Sequence, residues 1–439
     1  MAVRSLLSLL PLLLLPLLRC PHLASATSSS LVGVNYGLLG NNLPPPEKVA
    51  SLLRTINVGR VKLYDADPSV LRAFANTGVE LIIGIPDRCV VKVCDSAEAL
   101  AWVRANIQPY LPATKIAAIT VGNEVVTGNN TSIAHSLLPA MESIHSALAS
   151  LGFDRQIVVT TPHSVAFLAS SYPLLPVASI RPNPLLCPIF NFLDKTGSPL
   201  LINAYPYFAY KSEPGNVSLD YVLFEPNAGV VDPKSGLRYI NMLHAQVDAV
   251  YAAIAAVDAV YAAIAAVGGP KGLEVRISET GWPSGGDADE PGATQDNAAK
   301  YNGNLMRLIA EEKGTPARPG TPLRVYVFAL FNENLKPGPA SERNYGLFKA
   351  DGTPAYPLGI TVPPENNTAS TPSGGGTHGR GGGAGSNDHG GQDDDSASGY
   401  YDISSAVVSL PSYGLFFFFF FFFFLWAFCT NFVKMEYKK

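Results

Sequence analysis

Val275-Arg276-Ile277-Ser278-Glu279-Thr280-Gly281-Trp282-Pro283-Ser284 reads as a short buried strand whose end carries a carboxylate. Barrels of parallel strands keep their reactive groups at that end. A second run, Ile116-Ala117-Ala118-Ile119-Thr120-Val121-Gly122-Asn123, closes on Glu124 in the same way. Two strand-end glutamates, distant in sequence but able to face one cleft, are the machinery of glycoside hydrolysis.

Outward from these two runs, apolar segments of strand length recur at 31–36, 60–64, 79–85, 115–122, 157–161, 200–204, 274–278 and 323–331. Between them lie longer segments such as 96–107, 132–151 and 294–312, with apolar residues at helical spacing and Ser or Thr at their starts as expected caps. Alternation of this kind implies a parallel sheet with helical crossovers. Eight such units in about 330 residues predict a closed (β/α)8 TIM barrel, because no glycine-rich phosphate turn follows the first strand. An open doubly wound sheet is the alternative.

The chain has 439 residues, 47% of them apolar, and a net charge of −4, enough to bury a large core and adverse to nucleic-acid binding. Its start, with Arg4, a leucine-rich stretch at 6–18 and the small residues Ala24-Ser25-Ala26, has the layout of a cleaved secretory signal over 1–26. The apolar stretch is too short to span a bilayer comfortably. Cys89, Cys94 and Cys187 do not amount to a disulfide scaffold; Cys89 and Cys94 either pair across a short loop or all three are free thiols. No metal-ligand spacing occurs. Sequons at Asn129, Asn130, Asn216 and Asn366 agree with export but are weak signals.

From about 363 to 402 the composition turns to Gly, Ser and Asp without apolar periodicity, as in a disordered linker. Beyond it, over 403–439, Leu415 precedes nine phenylalanines, Phe416 to Phe424, and the chain finishes in Lys438-Lys439. Small residues, a spacer and an apolar tail form the pattern of a GPI-attachment signal, with Ser396-Ala397-Ser398 or Ser404-Ser405-Ala406 as attachment points. The charged end fits a short membrane span instead. One helical segment is doubled: Val247-Asp248-Ala249-Val250-Tyr251-Ala252-Ala253-Ile254-Ala255-Ala256 recurs unchanged at 257–266. Ten residues add about 15 Å of helix and slip its apolar stripe by roughly 80°. The added turns are expected to project from the face opposite the glutamates.

Taken together, Gly33-Val34-Asn35-Tyr36-Gly37, Val121-Gly122-Asn123-Glu124-Val125, Asn203-Ala204-Tyr205-Pro206-Tyr207-Phe208, the 278–284 segment and Phe331-Asn332-Glu333-Asn334-Leu335-Lys336 resemble plant endo-1,3-β-glucosidases of glycoside hydrolase family 17. The resemblance covers 31–359, within a catalytic domain placed at 27–362. It implies a (β/α)8 barrel that hydrolyses β-1,3-glucan such as callose with retention of configuration. Glu124 would be the general acid/base and Glu279 the nucleophile, one protonated near neutrality and the other ionised about 5 Å away. Asn123 would bind a sugar hydroxyl, and Tyr205, Tyr36, Phe208 and Trp282 would line the mouth. For Tyr36, Phe208 and Trp282, ordinary packing is an equal alternative. Glu333, Lys336 and Glu342 match charged positions around the family's cleft, against the alternative of a solvated cluster. His163 and His244 are expected to be structural, and no metal or organic cofactor is implied. A monomer at the cell surface, tethered by lipid or by its tail, is expected.

Two departures from the family stand out. Arg276 interrupts a strand usually apolar, and period-2 alternation points it away from Glu279 toward the helices. No cysteine lies between Cys187 and Cys429, so the cysteine-rich carbohydrate-binding module of many anchored relatives is missing. Competing readings are a mixed-linkage 1,3;1,4-β-glucanase, a transglycosylase, and a non-catalytic glucan-binding wall protein whose extended helix would distort the strand of Glu279.

Overall fold

The computed structural model describes residues 31–56, 58–168, 183–263 and 272–358. The expected leader, linker and tail, both candidate attachment points and the sequon at Asn366 lie outside them. Each of the eight apolar runs forms a strand: β1 (Val32–Tyr36), β2 (Arg60–Leu63), β3 (Glu80–Ile85), β4 (Lys115–Val121), the pair β5 (Val158–Thr160) and β6 (Pro162–Ser164), and β7 (Leu200–Asn203). A small antiparallel hairpin of β8 (Val230–Val231) and β9 (Arg238–Tyr239) intervenes before β10 (Val275–Thr280) and β11 (Val325–Val327).

The main sheet runs β5-β4-β3-β2-β1-β11-β10-β7-β6 with parallel pairing throughout. First and last strands pair, and the two sheet ends, β5 and β6, are separated only by Thr161. The nine segments therefore occupy eight strand positions of a nearly closed barrel, and the open-sheet alternative is excluded.

Alternation sorts the side chains into two layers. Val34, Val61, Leu63, Leu81, Ile83, Ile119, Ile202, Ile277 and Val327 pack outward in the main core under the helices. Each such aliphatic side chain contributes roughly 1.5–3 kcal/mol when fully buried. The complementary residues face inward, where Tyr326 of β11 meets Ile82 of β3 and Ala118 of β4 across the barrel.

The helices Ser96–Asn106, Thr131–Ser150 and Gln295–Ala310 stand where the spacing put them. Only the last is capped as expected, by Thr294. Asp95 caps the first, accepting from Ala97 N at 2.9 Å and Glu98 N at 3.0 Å, and Asn130 caps the second, accepting from Ile133 N at 3.1 Å. A carboxylate or amide oxygen one or two residues upstream thus takes the role expected of the hydroxyls.

Arg276 does not point toward the helices. Register runs Val275↔Leu200, Arg276↔Leu201, Ile277↔Ile202 and then Glu279↔Asn203, so Ser278 is an extra, bulged residue. A bulge resets the alternation, and Arg276 and Glu279 consequently share the inward face. Near the partly exposed start of β10 Arg276 grips Glu274 with two bonds of 2.9 and 2.7 Å, while the buried Arg60 reaches the Tyr326 hydroxyl at 3.1 Å.

The described part of the doubled segment, up to Ala263, lies in one helix, Met242–Ala263. Its first copy is built into the protein: Asp248 accepts from Thr315 and from Ala317 N, Tyr251's hydroxyl accepts from Val275 N at 3.1 Å, and Arg318 covers the Tyr251 ring. Since Val275 opens β10, Tyr251 already reaches the level where the strands begin. Twelve further residues, about 18 Å of helix, continue past that point, with Ala255, Ala256 and Ala259 exposed. The strand of Glu279 stays paired with β7 and β11 beside this helix. All three described cysteines are free, Cys94 resting 3.2 Å from the Ser136 carbonyl, so the Cys89–Cys94 pairing is not formed. Among the described residues no helix is long and apolar enough to cross a membrane.

Candidate active site

Glu279 ends its strand facing inward and is nearly enclosed. Lys62 of β2, itself 1% exposed, donates from Nζ to Oε1 at 2.8 Å. The Tyr64 hydroxyl, two residues on and on the same face, donates to Oε1 at 2.7 Å, and the Tyr205 hydroxyl to Oε2 at 3.0 Å. An ammonium and two phenols around one carboxylate are the surroundings of an anion.

Glu124 follows β4 in a sharp turn, with Gly122 at φ 65° and Glu124 itself at φ 55°. Its Oε1 accepts one hydrogen bond, 2.9 Å from Asn203 Nδ2. Although it keeps some open surface, the surrounding protein withdraws enough water to push its pKa up to about 7. Burial is the largest cause and the Glu279 charge the second; the Asn203 bond and Lys62 pull the other way.

Asn203 joins the two carboxyl groups. It stands beside Glu279 in the β7–β10 register, donates to Glu124, and has its own orientation fixed by the Ser278 hydroxyl, which donates to Asn203 Oδ1 at 2.7 Å. The two strand-end glutamates therefore share one cleft.

Around them the expected residues fall into two groups. Asn123 is half-buried with Oδ1 3.5 Å from Asn203 Nδ2, and its backbone N–H donates to Asp87 Oδ1 at 2.8 Å. Tyr205 touches Glu279, and Phe208 leans on it at 5.3 Å between ring centres while keeping part of its surface open. Lys336 pairs with Glu342 at 2.9 Å and lies over the Phe328 ring, which with Tyr345 flanks Tyr205. Glu342 lies close enough for its charge to raise the Glu124 pKa further. Glu333, 3% exposed, accepts from Leu39 N at 2.7 Å, and its pKa is raised by burial and lowered by Lys336. A Cβ on Gly37 would lie 2.4 Å from Glu333 Oε1, so that glycine is what admits the carboxylate. The charged trio is part of the cleft wall and not a solvated cluster.

Trp282 and Tyr36 belong to the second group. Trp282 has no exposed surface; its ring meets Tyr207, Tyr210 and Tyr301, and its Nε1–H donates to the Gly292 carbonyl at 2.8 Å. Tyr36 faces outward from the barrel and packs edge-on against Phe331. Neither offers a ring face to a sugar, so for both the packing alternative applies. His163 sits between Phe167 and Phe190 without a hydrogen bond, and burial lowers its pKa to about 4, as it does for His244.

Four site residues escaped the sequence reading: Lys62, Tyr64, Asn203 as the bridge, and Asp87, whose burial pushes its carboxyl up to about 6. Lys62 carried a signal, since a lysine inside an apolar strand two positions before a tyrosine marks an inward polar stripe. Among the described residues no group of side chains is arranged to hold a metal ion.

The model of glycosyl hydrolases family 17 matches residues 32–360. Glucan endo-1,3-beta-glucosidase 11 of Arabidopsis thaliana is 53% identical over 341 residues, covering 76% of this chain and 77% of that protein. Glucan endo-1,3-beta-glucosidase 10 of the same plant is 52% identical over 364 residues, covering 82% of each. Among solved structures, CJP38, a beta-1,3-glucanase and allergen of Cryptomeria japonica pollen, superposes with a TM-score of 0.69 at 38% identity, covering 76% of this chain and 99% of that one. With its barrel, its paired strand-end glutamates and these relatives, the chain belongs to the glycosyl hydrolases of family 17.

Proposed function

We propose that the chain cleaves internal 1,3-β-glucosidic bonds of callose at the outer cell surface, with retention of configuration. As a glycoside hydrolase it is a glucan endo-1,3-β-glucosidase. The observation that carries the finer reading is the opposite provision of the two carboxyl groups: Glu124 has a pKa of about 7, while Glu279 meets an ammonium and two phenols.

In the first step Glu279 Oε forms a bond to the anomeric carbon as the C1–O bond breaks. Its electron pair goes to the leaving oxygen, which takes the proton from Glu124. Water, deprotonated by the same Glu124, then releases the sugar and restores both groups. Asn123, Tyr205 and Phe208 would contact the sugar beside the cleaved bond.

Reducing-sugar release from linear β-1,3-glucan, with mixed-linkage glucan in parallel, tests substrate class. Activity on the first that falls at least about 10⁴-fold in Glu279→Ala is expected; preference for the mixed-linkage polymer would reassign the substrate. The initial anomer, read by proton NMR, tests retention, and an α-product would overturn it. The surface location draws on the leader and tail patterns of the sequence. Release of the enzyme from membranes by a phosphatidylinositol-specific phospholipase would support a lipid anchor, and retention after treatment would favour a spanning tail.

A further inference from the structure

The turn that carries Glu124 is held in a shape its sequence does not favour. A glutamate at φ 55° is in the left-handed region, which persists in non-glycine residues only where the surroundings over-determine it. Three backbone N–H groups are fixed there in succession. Gly122 N donates to the Ile85 carbonyl at 2.9 Å, Asn123 N to Asp87 Oδ1 at 2.8 Å, and Glu124 N to the Pro162 carbonyl at 3.0 Å. The outer two end on main-chain atoms of β3 and β6, which any sequence would supply. The middle one ends on a side chain.

That side chain is an unusual choice for its place. Asp87 follows β3 and Pro86 and is 4% exposed, and its second oxygen, Oδ2, has no hydrogen-bond partner. Burying a carboxyl group for a single hydrogen bond is unfavourable unless that bond matters elsewhere. A Cβ on Gly122 would lie 3.1 Å from Asp87 Oδ1 and 2.4 Å from Val125 Cγ2, so carboxyl, turn and following residue interlock.

We propose that Asp87 is a positioning residue for the acid/base step: through the Asn123 N–H it holds Glu124 where its proton can reach the leaving oxygen. This rests on the reading of Glu124 as the acid/base. Without the Asp87 acceptor the turn relaxes and Glu124 withdraws, so the loss falls on cleavage of bonds whose leaving oxygen needs a proton.

The experiment uses the full chain and two substrates, linear β-1,3-glucan and 2,4-dinitrophenyl β-laminaribioside, whose phenolate leaves without protonation. Glu124→Ala should lose glucan turnover by about 10³-fold while keeping the first burst of dinitrophenolate. Asp87→Ala should lose about 10²-fold in kcat on glucan, with KM within about threefold and the burst rate within about threefold of the parent. Asp87→Asn, whose amide oxygen accepts the same N–H, should return to within about fivefold. Folded Asp87→Ala with unchanged glucan kcat, or with equal losses on both substrates, overturns the proposal. Should Asp87→Ala not fold, Asp87→Asn decides alone: near-parental glucan turnover supports the role, and a hundredfold loss refutes it. If Glu124→Ala loses both substrates equally, the acid assignment falls first and this proposal with it. If Glu124→Ala separates the substrates and Asp87→Ala does not, only the positioning role fails.

Discussion

The ends of β4 and β10 each deliver a glutamate to the same cleft, on either side of Asn203, and provide for it in opposite ways. At β10 the carboxylate meets three donors, two of them from the inward stripe of β2 across the barrel. At β4 it meets one neutral amide and the charge of its counterpart. Two identical side chains thereby meet different surroundings in the barrel wall. On the proposed mechanism, the division of labour between acid and nucleophile depends on inward residues of neighbouring strands as much as on the two strand ends.

The comparison breaks most completely if the proton donor is removed. For the parent enzyme kcat/KM on glucan should fall as pH rises through about 7, because Glu124 must be protonated to act and its pKa is about 7. Glu124→Gln should cost roughly 10²–10⁴-fold and abolish that alkaline limb; an unchanged limb would assign it to another group. Next in size, Lys62→Met takes away the ammonium that sets β10 apart. About a 10²-fold loss of kcat and roughly 3 kcal/mol of unfolding free energy are expected, and a fully active, fully stable variant would show that Lys62 is incidental. Asn203→Ala sharpens the contrast, since the bond it removes lowers the Glu124 pKa. The alkaline limb should then move above pH 7, with a loss near tenfold in kcat; a downward move would contradict the hydrogen-bond assignment.

The smallest effect on catalysis is expected from two buried histidines that hydrogen-bond to neither carboxyl group. His163 and His244 have folded pKa values of about 4, below the unfolded value near 6.5. Their neutral forms suit the fold, so the associated stability is present above about pH 6.5 and is lost as pH falls toward 4, by up to about 1.4 kcal/mol per pH unit for each. Chemical denaturation between pH 7 and 4.5 should show this slope, reduced in His163→Leu, with the rate profile on glucan unchanged in shape. An undiminished slope in that variant would exclude His163 as a source.

Much of this arrangement was legible beforehand because a parallel barrel buries its strands on both faces, leaving apolar runs bounded by polar residues. That is why all eight runs appear as strands and why Glu124 and Glu279, interrupting apolar sequence at strand ends, were conspicuous. Features set by a single added or displaced residue were not legible. The bulge at Ser278 turned Arg276 inward, and Asp95 and Asn130 capped helices ahead of the expected Ser and Thr. Trp282 and Tyr36 lie in motifs that surround the cleft, yet motif membership does not reveal which way a ring turns. The bridging role of Asn203 depends on two strands meeting across the cleft, a relation no local window contains.

The doubled helix also separates what the barrel needs from what it tolerates. The same ten letters appear twice; the first set is bonded to the 315–318 loop and the start of β10, while in the second Ala259 stands in water where its counterpart Ala249 is buried. Identical sequence has been core and then surplus within one helix, and the strand that carries Glu279 keeps its pairing with both neighbours beside it. The turns past Tyr251 are thus a natural port for insertion, where a peptide or a label can be grafted near the level at which the strands begin, away from Glu279 at the strand end.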